Sequence, residues 1–391
     1  MRTRDTTESA SPLTVPIIQF GTSRFLQAHV DLFVDEARRS GQDIGPITVV
    51  QTSASTANAE RVAAFGAPGG YPVVIRGLRD GAIVDATQTV QSIERGLIAA
   101  RDWPAVSAFF VNEAQIVVSN VGETGYEIPL SDRGPLLWSG AVPVSFIGKL
   151  TALLMLRFNA NRRPMLVLPC ELFNRNGQVL KAAVIDLAND AGAPAGFTNW
   201  IDTAVTFVDT LVDRIVSQAL EPIGAVAEPY ALWAIQNQPG LKFPFTHASV
   251  QLVQSLEPFE RLKLHILNLG HTFLAGIWRD EQRPARETVR EILADGTIKA
   301  RLQHLYQTEV LPGFAAHAMQ DEATAYVART LERFANPFLD HRMSDIAQNH
   351  SAKIERRIKA FIAWCATVTP PFSHFPVLQS IVAREAQLER S

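Results

Sequence analysis

Over the first 254 residues short apolar runs alternate with stretches of helical periodicity, and beyond them the strand-like runs nearly stop. PIIQF, ITVVQ, QIVVSN and MLVLP are too short for helices and too continuously apolar for strands with one wet face. They alternate with SRFLQAHVDLFVDEARRS, TANAERVAAFG and SFIGKLTALLMLRFN, whose patterns are helical. This alternation predicts an α/β fold built on a parallel, doubly wound sheet.

Between the second and third runs, YPVVIRGLRDGAIVDATQTV has two β-rich arms around Asp80-Gly81 and predicts a hairpin inserted on the sheet. Strand signals continue through AVTFV, ALWAIQ and ASVQLVQ. The rest reads as helices: RETVREILAD, TIKARLQHLYQTEVL, DEATAYVARTLERFA, HRMSDIAQ and AKIERRIKAFIAWCAT. The boundary is expected near Ser255, giving a sheet domain over 1–255 and a mostly α-helical domain over 256–391.

At 391 residues and 47% apolar composition, the chain is long enough for two cores. Its 36 basic and 39 acidic residues are interspersed with a net charge of −3, so no basic stripe would attract a nucleic acid. Cys170 and Cys365 form neither a Cys-x-x-Cys pair nor a disulfide framework, which fits a reduced, cytoplasmic setting. The opening MRTRDTTESASPLT lacks the apolar stretch of a signal peptide, and no later run is long enough for a bilayer; residues 1–14 read as a frayed tail and no membrane partner is expected.

IIQFGTSRFLQAH runs strand, Gly21, helix, an arrangement that aims backbone N–H groups at a pyrophosphate. Of the Gly-x-Gly-x-x-Gly positions only Gly21 is glycine; Ser23 and Leu26 hold the others, so an ordinary strand-to-helix turn is the competing reading. After the second strand, Gln51, Thr52 and Ser53 stand where an acid often meets the ribose of NAD, and no adjacent arginine advertises the 2′-phosphate of NADP.

In KLHILNLGHT, Lys263, Asn268 and His271 sit among Leu262, Leu264, Ile266, Leu267 and Leu269. With Lys263 at 0° on an α-helix, His271 falls at about 80° and Asn268 at about 140°, so one small polar substrate could meet all three. Polar groups on a buried helix cost free energy unless they are satisfied. The bland reading is a snorkelling lysine, an asparagine bonded to backbone and a core histidine, and His265 keeps that reading. The chemical reading makes Lys263 the base that removes a hydroxyl proton as hydride leaves the carbinol carbon, with Asn268 and His271 donating hydrogen bonds to the developing alkoxide. The nine histidines are scattered, without His-x-x-x-His or clustered acids, so no metal is expected.

The Lys263-x4-Asn268-x2-His271 spacing downstream of GTSRFLQAH resembles the polyol-specific long-chain dehydrogenases, the mannitol dehydrogenase and hexuronate reductase group. PIIQFG, VVSNVGETGY, VLPCELFNRNG, TLVDRIV and ERFANPF spread the resemblance over most of the chain and lean it toward the sugar-acid members. It implies a Rossmann-type doubly wound sheet domain followed by a mostly α-helical substrate domain, and metal-independent chemistry with Lys263 as general acid/base beside Asn268 and His271. The cofactor expected is NAD, with NADP not excluded, held by Gly21, Ser23, Arg24, Phe25, Gln51, Ser119 and Asn120. Gly21, Ser23 and Phe25 match a Gly-x-Gly-x-Phe turn whose second glycine is lost.

Substrate contacts are expected from Glu123, which matches an acid near a proton path, and from Lys353, Asp345 and Arg333. Polyol members resemble Arg-x7-Lys where this chain has Asp345 and Lys353, and carry asparagine where Leu172 follows Cys170 and Glu171. An aspartate would repel a substrate carboxylate unless paired; Arg333, Arg356 and Arg357 are the candidate carboxylate anchors.

These features lead to an expected interconversion of a secondary alcohol and a ketone on an open-chain sugar acid, with altronate and tagaturonate as the named pair. The alternatives are a neutral polyol dehydrogenase of the mannitol or arabinitol type, a sugar-acid isomerase or epimerase that returns the hydride, and a binding protein that has lost catalysis. A monomer or small homo-oligomer is expected.

Overall fold

The computed structural model describes residues 15–55 and 59–388; the segment 1–14, read above as a tail, lies outside the described residues. The chain forms two compact units. One runs to Ile75 and resumes over Ala86–Leu256; the other takes Arg76–Asp85 and continues from Glu257.

The first unit is built on β1 (Val15–Phe20), β2 (Ile44–Gln51), the hairpin strands β3 (Tyr71–Arg79) and β4 (Ala82–Val90), β5 (Ile93–Ile98), β6 (Ile116–Ser119), β7 (Met165–Pro169) and β8 (Val205–Phe207). Six of them form one parallel sheet in the order β5-β2-β1-β6-β7-β8. The hairpin, expected on this sheet, instead pairs through β3 with Ala225–Ala227 in a separate four-stranded sheet; with it set aside, the six-stranded sheet has the 3-2-1-4-5-6 order of dinucleotide-binding sheets. Its winding reverses between β1 and β6, which opens a crevice beyond their carboxyl ends.

The continuous apolar runs have the burial that a doubly covered sheet requires. Ile47, Val49 and Val50 of β2 and Val117 and Val118 of β6 are fully buried. The helix Phe146–Ala160 is apolar nearly all round; its Phe146, Leu150 and Leu154 join Phe20, Val50 and Val117 in one core. At Asp80 and Gly81 both φ angles are positive, 53° and 75°, as a two-residue hairpin turn demands.

The second unit is helical around Ile266, Leu274, Ile292, Leu302, Phe314 and Phe361. The hairpin tip groups with this unit: Gly81 N–H donates to Glu332 at 2.7 Å, and the Arg76 guanidinium lies 5.7 Å from the Phe338 ring centre. Three of its helices contain a wide π-turn, at Lys263–Asn268, Tyr306–Val310 and Glu355–Lys359. Among the described residues no helix is long and apolar enough to cross a membrane.

Candidate active site

The turn after β1 is fixed by what surrounds Gly21. Its φ is +118°, and a Cβ there would sit 2.4 Å from the Asn120 carbonyl oxygen, so a side chain is excluded on both counts. The Gly21 N–H donates to Val50 at 3.0 Å, and Asn120 N–H donates to Phe20 at 3.0 Å, which holds the ends of β1, β2 and β6 together at the crevice. Ser23 caps the short helix that follows: its Oγ accepts from Leu26 N–H and donates to Asn120 Oδ1 at 2.9 Å. Asn120 in turn donates to Cys170 at 2.8 Å.

A cleft of about 440 Å³ opens here, lined by Gly21, Ser23, Arg24, Thr52, Arg61 and Asn120 among others. Arg24 is exposed, and Arg61 donates to the Thr22 carbonyl at 3.3 Å. Two guanidinium groups and, among the described residues, no carboxylate in its wall suit a diphosphate. Arg61, which sequence reasoning missed, comes ten residues beyond the end of β2, too far along the chain to be singled out by spacing.

Phe25, Gln51 and Ser119, also expected at the cofactor, are not among the residues that line this cleft. Gln51 is buried, its amide donating to the carbonyls of Ser53 and Ser55 at 3.0 and 2.7 Å, so it shapes the loop after β2. Ser119 is fully buried and its hydroxyl donates to Glu171 at 3.1 Å. Phe25 stacks on His29 at 4.7 Å. Glu171 is buried, accepts a 3.0 Å bond from Val121 N–H and has its pKa raised, chiefly by burial. Glu123 begins a 3-10 turn whose last residue is Tyr126, and its side chain lies outside the described residues.

A buried polar layer braces the turn. Gln27 donates to Thr22 at 3.2 Å and accepts from Gly224 N–H at 2.8 Å. Tyr71 donates to Asp31 at 2.9 Å, and burial pushes the Asp31 carboxyl up to about 7 against the lowering effect of bonds from Tyr71 and Gln19.

In the second unit Lys263, Asn268 and His271 share one helical segment, but the local geometry differs from the α-helix assumed above. Leu269 N–H reaches back five residues to the Leu264 carbonyl. A five-residue bond brings Asn268 about one turn from Lys263, rather than about 140° around the axis. The widened turn turns carbonyl groups toward side chains: Ile266 accepts from Tyr306 at 3.0 Å, and Asn268 accepts from Arg357 at 3.2 Å. Gly270 is needed beside it, since a Cβ there would lie 2.0 Å from the Tyr306 hydroxyl. Lys263 and Asn268 are half-buried and His271 is buried.

Around His271 lies a set of basic groups. Its ring is 4.4 Å from Phe334 and 5.0 Å from His341. Its pKa is held well below 6.5, first by burial and then by His341, Arg357, Arg333 and Lys353, so the imidazole is neutral. Arg333 is buried. Arg357 donates to Thr272 at 3.0 Å and is pushed down to about 10 by burial and by Arg356. Lys353 donates to Ile346 at 2.7 Å and is lowered by burial and by the same two arginines. Asp345 is exposed, and its charge acts on His341. Arg356 is exposed; Leu172 is 82% exposed, in the other unit's sheet-end loop. His265 is fully buried against Phe361 and Trp364, as a core histidine would be. Among the described residues no cluster of three or more His, Cys, Asp or Glu could hold a metal.

Two family models match the chain: the mannitol dehydrogenase Rossmann domain over residues 15–243 and the mannitol dehydrogenase C-terminal domain over residues 255–384. An altronate oxidoreductase of Klebsiella pneumoniae is 31% identical over 375 residues, covering 88% of this chain and 73% of the relative. An altronate oxidoreductase of Halalkalibacterium halodurans is 29% identical over 371 residues, covering 89% and 70%. Among solved structures, a D-sorbitol dehydrogenase in substrate-free form superposes with a TM-score of 0.73 at 20% identity, covering 93% of this chain and 80% of that one. A Pseudomonas fluorescens mannitol 2-dehydrogenase in ternary complex with NAD and D-mannitol gives 0.69 at 20% identity, covering 90% and 75%. At that identity the likeness bears on the fold.

Proposed function

The chain belongs to the mannitol dehydrogenase family and is a sugar-acid or polyol dehydrogenase; we propose that it acts with NAD on an open-chain sugar acid, with altronate and tagaturonate as the pair. The observation that carries the sugar-acid reading is the group of Arg333, Lys353 and Arg357 whose charges act on a neutral His271, with the exposed Asp345 acting on His341 beside it. Such an excess of positive charge suits a carboxylate, which gains from the charge as well as from the hydrogen bonds, more than a neutral polyol, which takes only the hydrogen bonds. The names of the relatives support the same substrate class.

A bound nicotinamide supplies the hydride acceptor for oxidation and the donor for reduction. Gly21, Ser23, Arg24, Arg61 and Asn120 would hold the dinucleotide, the first by permitting close backbone approach and the arginines by charge. Lys263 takes the hydroxyl proton as the carbinol carbon is oxidised and returns it in reduction. Asn268 and the neutral His271 donate hydrogen bonds to the oxygen on which negative charge develops. Arg333 and Arg357 hold the carboxylate, leaving Lys353 to hydrogen-bond a hydroxyl or add to that charge.

Absorbance at the nicotinamide band tests the reading with NADH and tagaturonate, fructose or a pentulose, and with NAD and altronate, mannitol or arabinitol. Turnover of tagaturonate with Lys263→Ala nearly inactive but still binding NADH is the expected result. Near-normal turnover in that variant would remove the lysine from the chemistry. Turnover of neutral ketoses alone would favour the polyol reading, for which Asp345 is the specific observation, since it could accept from hydroxyl groups.

A further inference from the structure

His341 stands at the edge of the basic group without a role in the scheme above. Its backbone is pinned on both sides: Val289 N–H donates to the His341 carbonyl at 2.9 Å, Arg342 bridges to Thr288, and Met343 N–H donates to Glu287 at 2.8 Å. Thr288 itself closes a capping box with Glu291, so the opposing chain is fixed as well. The Cα of His341 is therefore fixed, and its imidazole lies edge-on to His271 at 5.0 Å. Its Nδ1 is buried and has no hydrogen-bond partner. A buried nitrogen left unpaired costs free energy, and a fixed backbone leaves only rotation of the side chain to relieve it.

We propose that His341 is a substrate-binding residue whose Nδ1 hydrogen-bonds a hydroxyl of the sugar chain next to the oxygen that His271 contacts. The inference rests on the sugar-acid reading and gives the site a division of labour. A carboxylate only accepts hydrogen bonds and is matched by Arg333 and Arg357, which only donate. A hydroxyl both donates and accepts, and a neutral imidazole can meet it with either an N–H or a lone pair. His341 is kept in that neutral form by burial and by Lys353, against the opposing pull of Asp345.

The test exploits the shapes of two amides. Asparagine places a polar atom near the position of Nδ1, whereas glutamine reaches the position of Nε2. Wild type, His341→Asn, His341→Gln and His341→Ala are compared in NADH-dependent reduction of tagaturonate and of analogues each lacking one hydroxyl. His341→Ala is expected to lose about tenfold in kcat/KM through KM, His341→Gln to lose as much, and His341→Asn to keep most of it. One deoxy analogue should be a poor substrate for wild type yet be handled equally by wild type and His341→Ala, since the bond is already missing. Equal melting temperatures and NADH affinities across the set show that folding and cofactor binding are intact.

Parallel losses on every analogue, or no loss in His341→Ala, would overturn the assignment while leaving the sugar-acid reading standing. If wild type reduces only a neutral ketose, that reading fails separately, and the same variants run on the ketose and its deoxy analogues decide whether His341 still reads a hydroxyl. A wild type silent on every substrate overturns both.

Discussion

At Gly21 two independent constraints meet, a left-handed φ and a neighbouring carbonyl 2.4 Å from any added Cβ. Gly21→Ala must therefore pay about 1–3 kcal/mol for strain or move the chain end of β6. Either way the turn that lines the cleft is displaced, so we expect a lower melting temperature and weaker NADH binding, read by fluorescence titration. Binding equal to wild type would remove this turn from the cofactor site. Ser23→Ala is milder: it loses a helix cap worth about 1 kcal/mol and the bond to Asn120. Gly21 and Ser23 were legible in the sequence because strand, glycine and small polar residue follow one another without a gap. Arg61, Arg357 and His341 reach their places through packing between distant segments, and a linear spacing rule has no purchase on them. Arg357 could be named from the chain only as one of several spare cations.

The helix that carries Lys263 shows how far periodicity reaches. The polar residues share a segment, as their spacing suggests, but its π-turn is invisible in a pattern of apolar and polar positions, since an extra residue in one turn leaves the letters unchanged. Tertiary contacts meet at the turn: Tyr306 and Arg357 donate to the Ile266 and Asn268 carbonyls, which also accept from Leu269 N–H and the Thr272 hydroxyl. Gly270 and Tyr306 should therefore be coupled. Tyr306→Phe removes that donor from a carbonyl that keeps its bond from Leu269 N–H, and costs about 0.5–1.5 kcal/mol. Gly270→Ala forces a methyl against the Tyr306 hydroxyl and costs about 1–3 kcal/mol by overpacking. In the double variant the hydroxyl is absent, so urea unfolding should give a loss about 0.5 kcal/mol or more below the sum of the two. Strict additivity would mean that the tyrosine hydroxyl and the glycine do not share a constraint. The relief is partial, because the same Cβ would lie 3.1 Å from the Tyr306 ring and 3.3 Å from Phe334.

Across the whole molecule the fold class was legible because buried parallel strands and helices leave different apolar periods, and the Asp80-Gly81 turn because few residues accept positive φ twice in succession. The grouping of the hairpin tip with the helical unit was not, since it depends on contacts with Glu332 and Phe338, some 250 residues further along the chain. Burial of ionisable groups makes stability depend on pH in a way that no composition reveals. His29 is pushed down to about 3, His265 and His350 to about 4, and His271 and His341 are also lowered. From about pH 6.5 downward the unfolded chain takes up protons that these native imidazoles refuse, so the melting temperature should fall as pH drops toward 4. Asp31 works in the opposite sense. Its native carboxyl, raised to about 7, keeps a proton that the unfolded chain has released from about pH 4 upward, so this group alone costs stability as pH rises from 4 to 7. Glu171 acts in the same direction, but five imidazoles outnumber the two carboxyls, and the net trend should be a rise in melting temperature from pH 4.5 to 6.5. Asp31→Asn isolates the opposing part: its amide oxygen can still accept from Tyr71, but nothing remains to ionise. The melting temperature of Asp31→Asn relative to wild type should climb between pH 4 and 7 and level off above it. A difference that stays constant over that range would mean that the Asp31 carboxyl does not titrate out of step with the unfolded chain, and that its bond to Tyr71 offsets the cost of burying its charge.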